Sequence, residues 1–200
     1  MREIVDGIFT WSWFSEPHGY DFNGYLIGHP EGNLCVDPVE PSADVLARLV
    51  RDGVARIVVT NRNHVRKAAL VRERTGAPIA IHAADAAYAR GQGATIDAAL
   101  APGERIGPFT VLGVPGKSPG EIALHCPRRR ILVVGDAVIG NPPCKLSLLR
   151  EKVMDDPPLL RASVAALGAL EVEVLLPGDG APILRDAGAR LRELAASFAD

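Results

Sequence analysis

Seven consecutive residues, Thr60-Asn61-Arg62-Asn63-His64-Val65-Arg66, gather a hydroxyl, two amides, an imidazole and two guanidinium groups. They directly follow a β-branched run, Ile57-Val58-Val59, and precede a helix-like segment. The end of a buried strand is where α/β proteins place polar chemistry. Three later loops add charge: Lys117 in Pro115-Gly116-Lys117-Ser118-Pro119-Gly120, Asp136 in Val134-Gly135-Asp136-Ala137, and Asp179 in Pro177-Gly178-Asp179-Gly180. His64, Asp136 and Asp179 could together move protons, with Lys117 or Arg66 clamping an anion. The simplest reading of His64 is a partly exposed loop histidine. His82 and His125 fall within strands, His18 lies in a polar loop, and Asp37 before Pro38 reads as a structural turn residue.

The elements that must position these groups alternate in type. Residues 3–14 predict a hairpin turning at Asp6-Gly7, with Trp11 and Trp13 on one face and one of them in the core. Residues 15–23 predict a polar loop, followed by a second hairpin over 24–28 and 33–36. Ser42 can cap a helix whose apolar positions Val45, Leu46, Leu49 and Val50 share a face, ending at Gly53. Strand 56–60 is then followed by helix 67–75, strand 78–82, helix 83–90 and a loose stretch from Gly91. Strands are expected at 109–114, 121–126 and 130–134, with Arg128-Arg129-Arg130 as a solvated turn. Helix 157–170 and strand 172–176 follow, and a last amphipathic helix carries Ile183, Leu184, Ala187, Leu191 and Phe198. Hairpins mixed with helical crossovers point to an α/β or α+β arrangement of two packed sheets with helices outside.

At 200 residues and 48% hydrophobic, the chain suits a single domain spanning 1–200. A net charge of −2 with no long basic run excludes attraction to nucleic acid or anionic membrane. No apolar stretch approaches a membrane span, and early charges at Arg2, Glu3 and Asp6 predict a cytoplasmic protein. Cys35, Cys126 and Cys144 form no Cys-x-x-Cys pair and no disulfide framework. Cys35 and Cys126 read as core, and Cys144 as exposed.

Five segments, in order, resemble the metallo-β-lactamase superfamily in its glyoxalase II-like, small-hydrolase style. They are Asn23-Gly24-Tyr25-Leu26-Ile27 with Val36-Asp37-Pro38, the Thr60–Arg66 run, and the loops around Lys117, Asp136 and Asp179. The resemblance implies an αββα four-layer sandwich whose loops 60–66, 115–120, 135–141 and 177–182 meet at one edge. It also implies which residues stand where that superfamily holds two metal ions. The first trio of histidines falls on Asn61, Asn63 and Lys117. The second set falls on Val65, Arg66 and Asp179, and the bridging aspartate is Asp136. Zinc favours neutral imidazole or thiolate, and two of these positions are cationic. The expectation is therefore a degenerate site without zinc, catalytically weak or inactive, keeping a pocket for an anionic small molecule. Lys117 would take a metal's place beside Asp136, Asp179 or both, with Asn61 or Asn63 donating a hydrogen bond. Two alternatives remain open. One is a hydrolase of an ester or thioester through Asp136, Asp179 and His64, metal-free or with Mg²⁺ or Mn²⁺ on oxygen ligands that include Asn61 and Asn63. The other is a structural role through a homodimer surface.

Overall fold

The computed structural model describes residues 1–198 and places twelve strands and five α-helices in four layers. The first sheet has seven strands in chain order: β1 (Arg2–Val5), β2 (Ile8–Ser15), β3 (Tyr20–Ile27), β4 (Leu34–Val36), β5 (Arg56–Val59), β6 (Ile79–His82) and β7 (Ala98–Leu100). Its first half is an antiparallel meander; from β4 onward the pairs are parallel, with helices making the crossovers. Those crossovers are α1 (Ala43–Asp52), α2 (Ala68–Thr75) and α3 (Ala83–Gly91). The second sheet runs β12-β11-β10-β9-β8. Its strands are β8 (Arg105–Ile106), β9 (Phe109–Gly113), β10 (Ile122–Cys126), β11 (Ile131–Val134) and β12 (Val174–Pro177), backed by α4 (Pro157–Gly168) and α5 (Ala187–Ala196).

Alternation along the strands builds three cores. One face of each sheet meets the other through Tyr25, Val36, Val58, Phe109 and Leu124. The opposite face of the first sheet, with Leu26, Ile57 and Ile79, packs on Leu49 and Val71 of the helices. That of the second sheet, with Leu132 and Leu175, packs on Leu160, Val164 and Leu191. This is the four-layer sandwich expected, and period-two alternation on both sheets is its cause. Trp11 is the core tryptophan, its indole donating to Val39 O at 3.1 Å, whereas Trp13 is 45% exposed. Trp11 lies flat over Gly24, where an added Cβ would come within 2.6 Å of its ring.

Two local expectations need correction, and one strand is new. The polar loop ends early: β3 begins at Tyr20 because Tyr20–Asn23 pair with Trp13, Phe14 and their neighbours on β2. Ala98–Leu100, to which the sequence assigned no element, is a strand recruited by pairing with β6. Ile183 and Leu184 precede the last helix, which starts at Ala187; Ile183 bridges Leu175 instead. Cys35 and Cys126 are buried and Cys144 is exposed. Among the described residues no helix is long and apolar enough to cross a membrane.

Candidate functional site

The site lies where the ends of β4, β5, β11 and β12 and the loop before β10 converge. Backbone and side-chain hydrogen bonds tie these loops together. Asn23 Nδ2 donates to Pro177 O at 3.1 Å and Gly180 O at 2.7 Å, and the Tyr25 hydroxyl donates to Pro177 O at 2.7 Å. The Asn-Gly-Tyr segment therefore holds the terminal loop. Asp85, fully buried at the start of α3, accepts from Arg62 N at 2.8 Å, Ser118 Oγ at 2.6 Å and Gly120 N at 2.9 Å. One carboxylate thus joins the 60–66 and 115–120 loops, so the four loops meet at one edge.

His64 is at the centre. It is 1% exposed, not a partly exposed loop residue, because the backbone of Gly178 closes over its ring. Its Nδ1 lies 2.8 Å from Asp37 Oδ2 and its Nε2 3.1 Å from Asp136 Oδ1. Asp37, at a φ of 46°, also accepts from Thr60 N at 2.8 Å and Thr60 Oγ1 at 2.6 Å. Asp37 is thus more than a turn residue, since it orients the imidazole. Burial and the Arg66 charge oppose protonation of His64, and Asp136 and Asp37 overcome them, raising its pKa to about 10. Arg66 Nη2 lies 2.9 Å from His64 Nε2, a contact only a neutral ring would welcome. The two flanking carboxylates outweigh that contact and favour the protonated ring.

The cations fill the middle. The Lys117 ammonium is 3.2 Å from Asp136 Oδ2 and donates to Asn63 Oδ1 at 2.7 Å. Asn63 therefore accepts where donation was expected. Arg66, at a φ of 29°, pairs with Asp179 Oδ1 at 2.6 Å and lies over the Phe22 ring at 4.5 Å. Asp179 is thus the partner of Arg66, and among the described residues no ion pair joins it to Lys117. Asn61 is fully buried outside the cavity wall; its Oδ1 accepts from Asn63 N at 2.8 Å and shapes the loop. The oxygen-ligand arrangement through both asparagines is therefore not formed: one amide oxygen caps the loop and the other holds Lys117.

Three carboxyls are shifted from their ordinary range, each for a physical reason. Burial raises Asp136, but His64, Lys117 and Arg66 together hold it below the usual range. Asp179 is shifted upward by burial and by the Asp136 charge, against the pull of His64 and Arg66. Glu121, 1% exposed, accepts from Asp136 N at 2.6 Å, and burial with the Asp136 charge pushes it up to about 8. Its Oε2 and Asn61 Nδ2 have no hydrogen-bond partner among the described residues. Glu121 was not singled out from the sequence; its only signal there is a charged residue opening an apolar strand.

The cluster floors a cavity of about 1020 Å³, bounded by Trp13, His18, Tyr20 and Phe22 on one side and the 147–153 segment on the other. His64, Asp136 and Asp179 each offer one donor atom within 4.8 Å of the others, the geometry of a partial metal site.

Solved structures share this architecture. A di-iron-bound form of TTHA1623 is 26% identical over 86% of this chain and 93% of that one, with a TM-score of 0.69. The metallo-beta-lactamase FIM-1 from Pseudomonas aeruginosa, in a mono-zinc form, is 16% identical over 98% and 94%, with a TM-score of 0.77. A metallo-beta-lactamase from Pontibacter korlensis is 17% identical over 97% of each chain, with a TM-score of 0.78. No curated protein sequence matches. The profile of the metallo-beta-lactamase superfamily matches residues 4–198, and the chain belongs to that superfamily.

Proposed function

We propose that this chain binds a small anionic molecule without zinc, and is weak or inactive as a hydrolase. One observation carries the reading: Arg66 and Lys117 stand at 2.6 Å from Asp179 and 3.2 Å from Asp136, within the three-residue cluster that could hold a metal. Relatives bear iron or zinc. A zinc ion would use neutral imidazole nitrogen. Here the imidazole is held protonated and both carboxylates are already paired with cations. The residues present do not fit zinc. A bound metal lowers the pKa of its water from 15.7 to about 7, so the superfamily's usual nucleophile has no source here. Elemental analysis of the purified protein should find far less than one zinc per chain, and β-lactams and thioesters should be hydrolysed negligibly. Near-stoichiometric zinc, with turnover that a chelator abolishes, overturns the reading.

A second reading is favoured by one feature, the upward-shifted carboxyl of Asp179 on the cavity floor. Asp179 could act as a general base toward an ester or thioester, with Asp136 and His64 fixing its surroundings. Turnover that survives a chelator and disappears in Asp179→Asn supports this second reading.

A further inference from the structure

The charges lining the cavity are matched except at its mouth. Its three carboxylates each have a cation: Glu40 with Lys67 at 2.6 Å, Asp136 with Lys117 at 3.2 Å, and Asp179 with Arg66 at 2.6 Å. Besides His64, which is held between Asp37 and Asp136, two further cations line it, Arg150 and Lys152, and neither has an ion-pair partner among the described residues. Both are exposed, on the segment that faces β3 across the opening. Arg150 lines the same cavity as Tyr20 and Phe22.

The opposite wall is aromatic. Phe22 lies 5.8 Å from Trp13 and 6.1 Å from Tyr20, centroid to centroid, and Trp13 remains 45% exposed. An indole left that open beside the Phe22 ring offers a face for stacking. The volume of about 1020 Å³ suits a drug-sized ligand.

Building on the binding function proposed above, we infer that the cavity takes a flat aromatic molecule bearing one terminal oxyanion. The ring lies against Trp13 and Phe22, and the carboxylate or phosphate sits between Arg150 and Lys152. The paired floor leaves the anion no better station, since every inner cation is already neutralised.

Calorimetric titration of the full chain with 1-naphthoate, 1-naphthyl phosphate, neutral 1-naphthalenemethanol and octanoate tests this, with zinc content measured on the same sample. At least one naphthyl anion should bind about tenfold more tightly than the neutral alcohol, as two exposed charge contacts supply. The tighter of the two anions identifies the oxyanion. Octanoate should bind more weakly than naphthoate. Arg150→Ala with Lys152→Ala should remove the anion's advantage and its salt dependence while leaving the alcohol unchanged, and Trp13→Ala should weaken every naphthyl probe. Equal affinity for anion and alcohol, full affinity in the double variant, or no binding by any naphthyl probe overturns the inference. A zinc-free protein that fails these titrations sinks the ligand class alone, whereas stoichiometric zinc sinks the metal-free reading, whatever the titrations show.

Discussion

The Lys117 ammonium and Asp136 face each other at 3.2 Å with both side chains buried, so removing Asp136 leaves the ammonium only the Asn63 amide, and removing Lys117 leaves Asp136 to His64 alone. Lys117→Ala is expected to cost roughly 3–5 kcal/mol, read from denaturant midpoints. Asp136→Ala should cost a similar amount, and the double variant less than the sum. Asp179 answers to Arg66 instead, so Asp179→Ala should add to Lys117→Ala almost independently. A Lys117→Ala protein that unfolds like the parent would show that the ammonium holds nothing. His64 makes a second prediction. An unfolded imidazole loses its proton near pH 6.5, whereas folded His64 keeps it up to about 10. Between those values the folded state binds more protons, so its stability falls as pH rises. Glu121, raised from about 4.5 to about 8, adds an earlier decline that begins below pH 6.5 and is complete near 8. Denaturant midpoints should fall between about pH 6.5 and 10, with a shallower decline in His64→Gln. A flat profile would mean that the ring is neutral.

Among elements, the loop after β12 is shaped by what it must cover. A Cβ at Gly178 would lie 2.4 Å from His64 Cε1. The ring cannot retreat, because Asp37 and Asp136 grip both nitrogens. Gly178→Ala should therefore destabilise by about 1–3 kcal/mol. Combining it with His64→Ala should shrink that increment, since the obstructing ring is gone. Additive melting shifts in the double variant would place the strain elsewhere. In the preceding turn, Gly116 has a φ of 133° and a Cβ there would meet Leu160 N at 2.3 Å, which fixes how close α4 approaches the Lys117 loop.

For the whole molecule, the superfamily's four-layer architecture surrounds two organic cations, Lys117 and Arg66, beside Asp136 and Asp179. Neutral imidazoles in place of those cations should let the remaining donors act. Lys117→His with Arg66→His leaves His64, Asp136 and Asp179 in place, with donor atoms within 4.8 Å. That double variant is expected to retain about one zinc per chain after dialysis, where the parent retains far less. If it stays zinc-free by elemental analysis, the two cations are not what keeps the metal out.

Local sequence determined much of this. β-branched runs, the Ser42 cap (its Oγ 3.3 Å from Val45 N) and the helical stripes set the elements. The five ordered segments carried the four-layer architecture and the meeting of the loops. These signals are short-range, so they survive without coordinates. Lys117 beside Asp136 or Asp179 was expected from the resemblance, but which carboxylate takes which cation was not legible in this way. Arg66 meets Asp179 across 113 residues, and Lys117 meets Asn63 across 54. Which carboxylate takes which cation depends on how loops from both sheets pack, and no spacing encodes it. Burial is likewise a property of the assembled fold. His64 sits in a polar run that reads as exposed, and only the backbone of Gly178, arriving from the end of β12, turns it into the buried centre of the site.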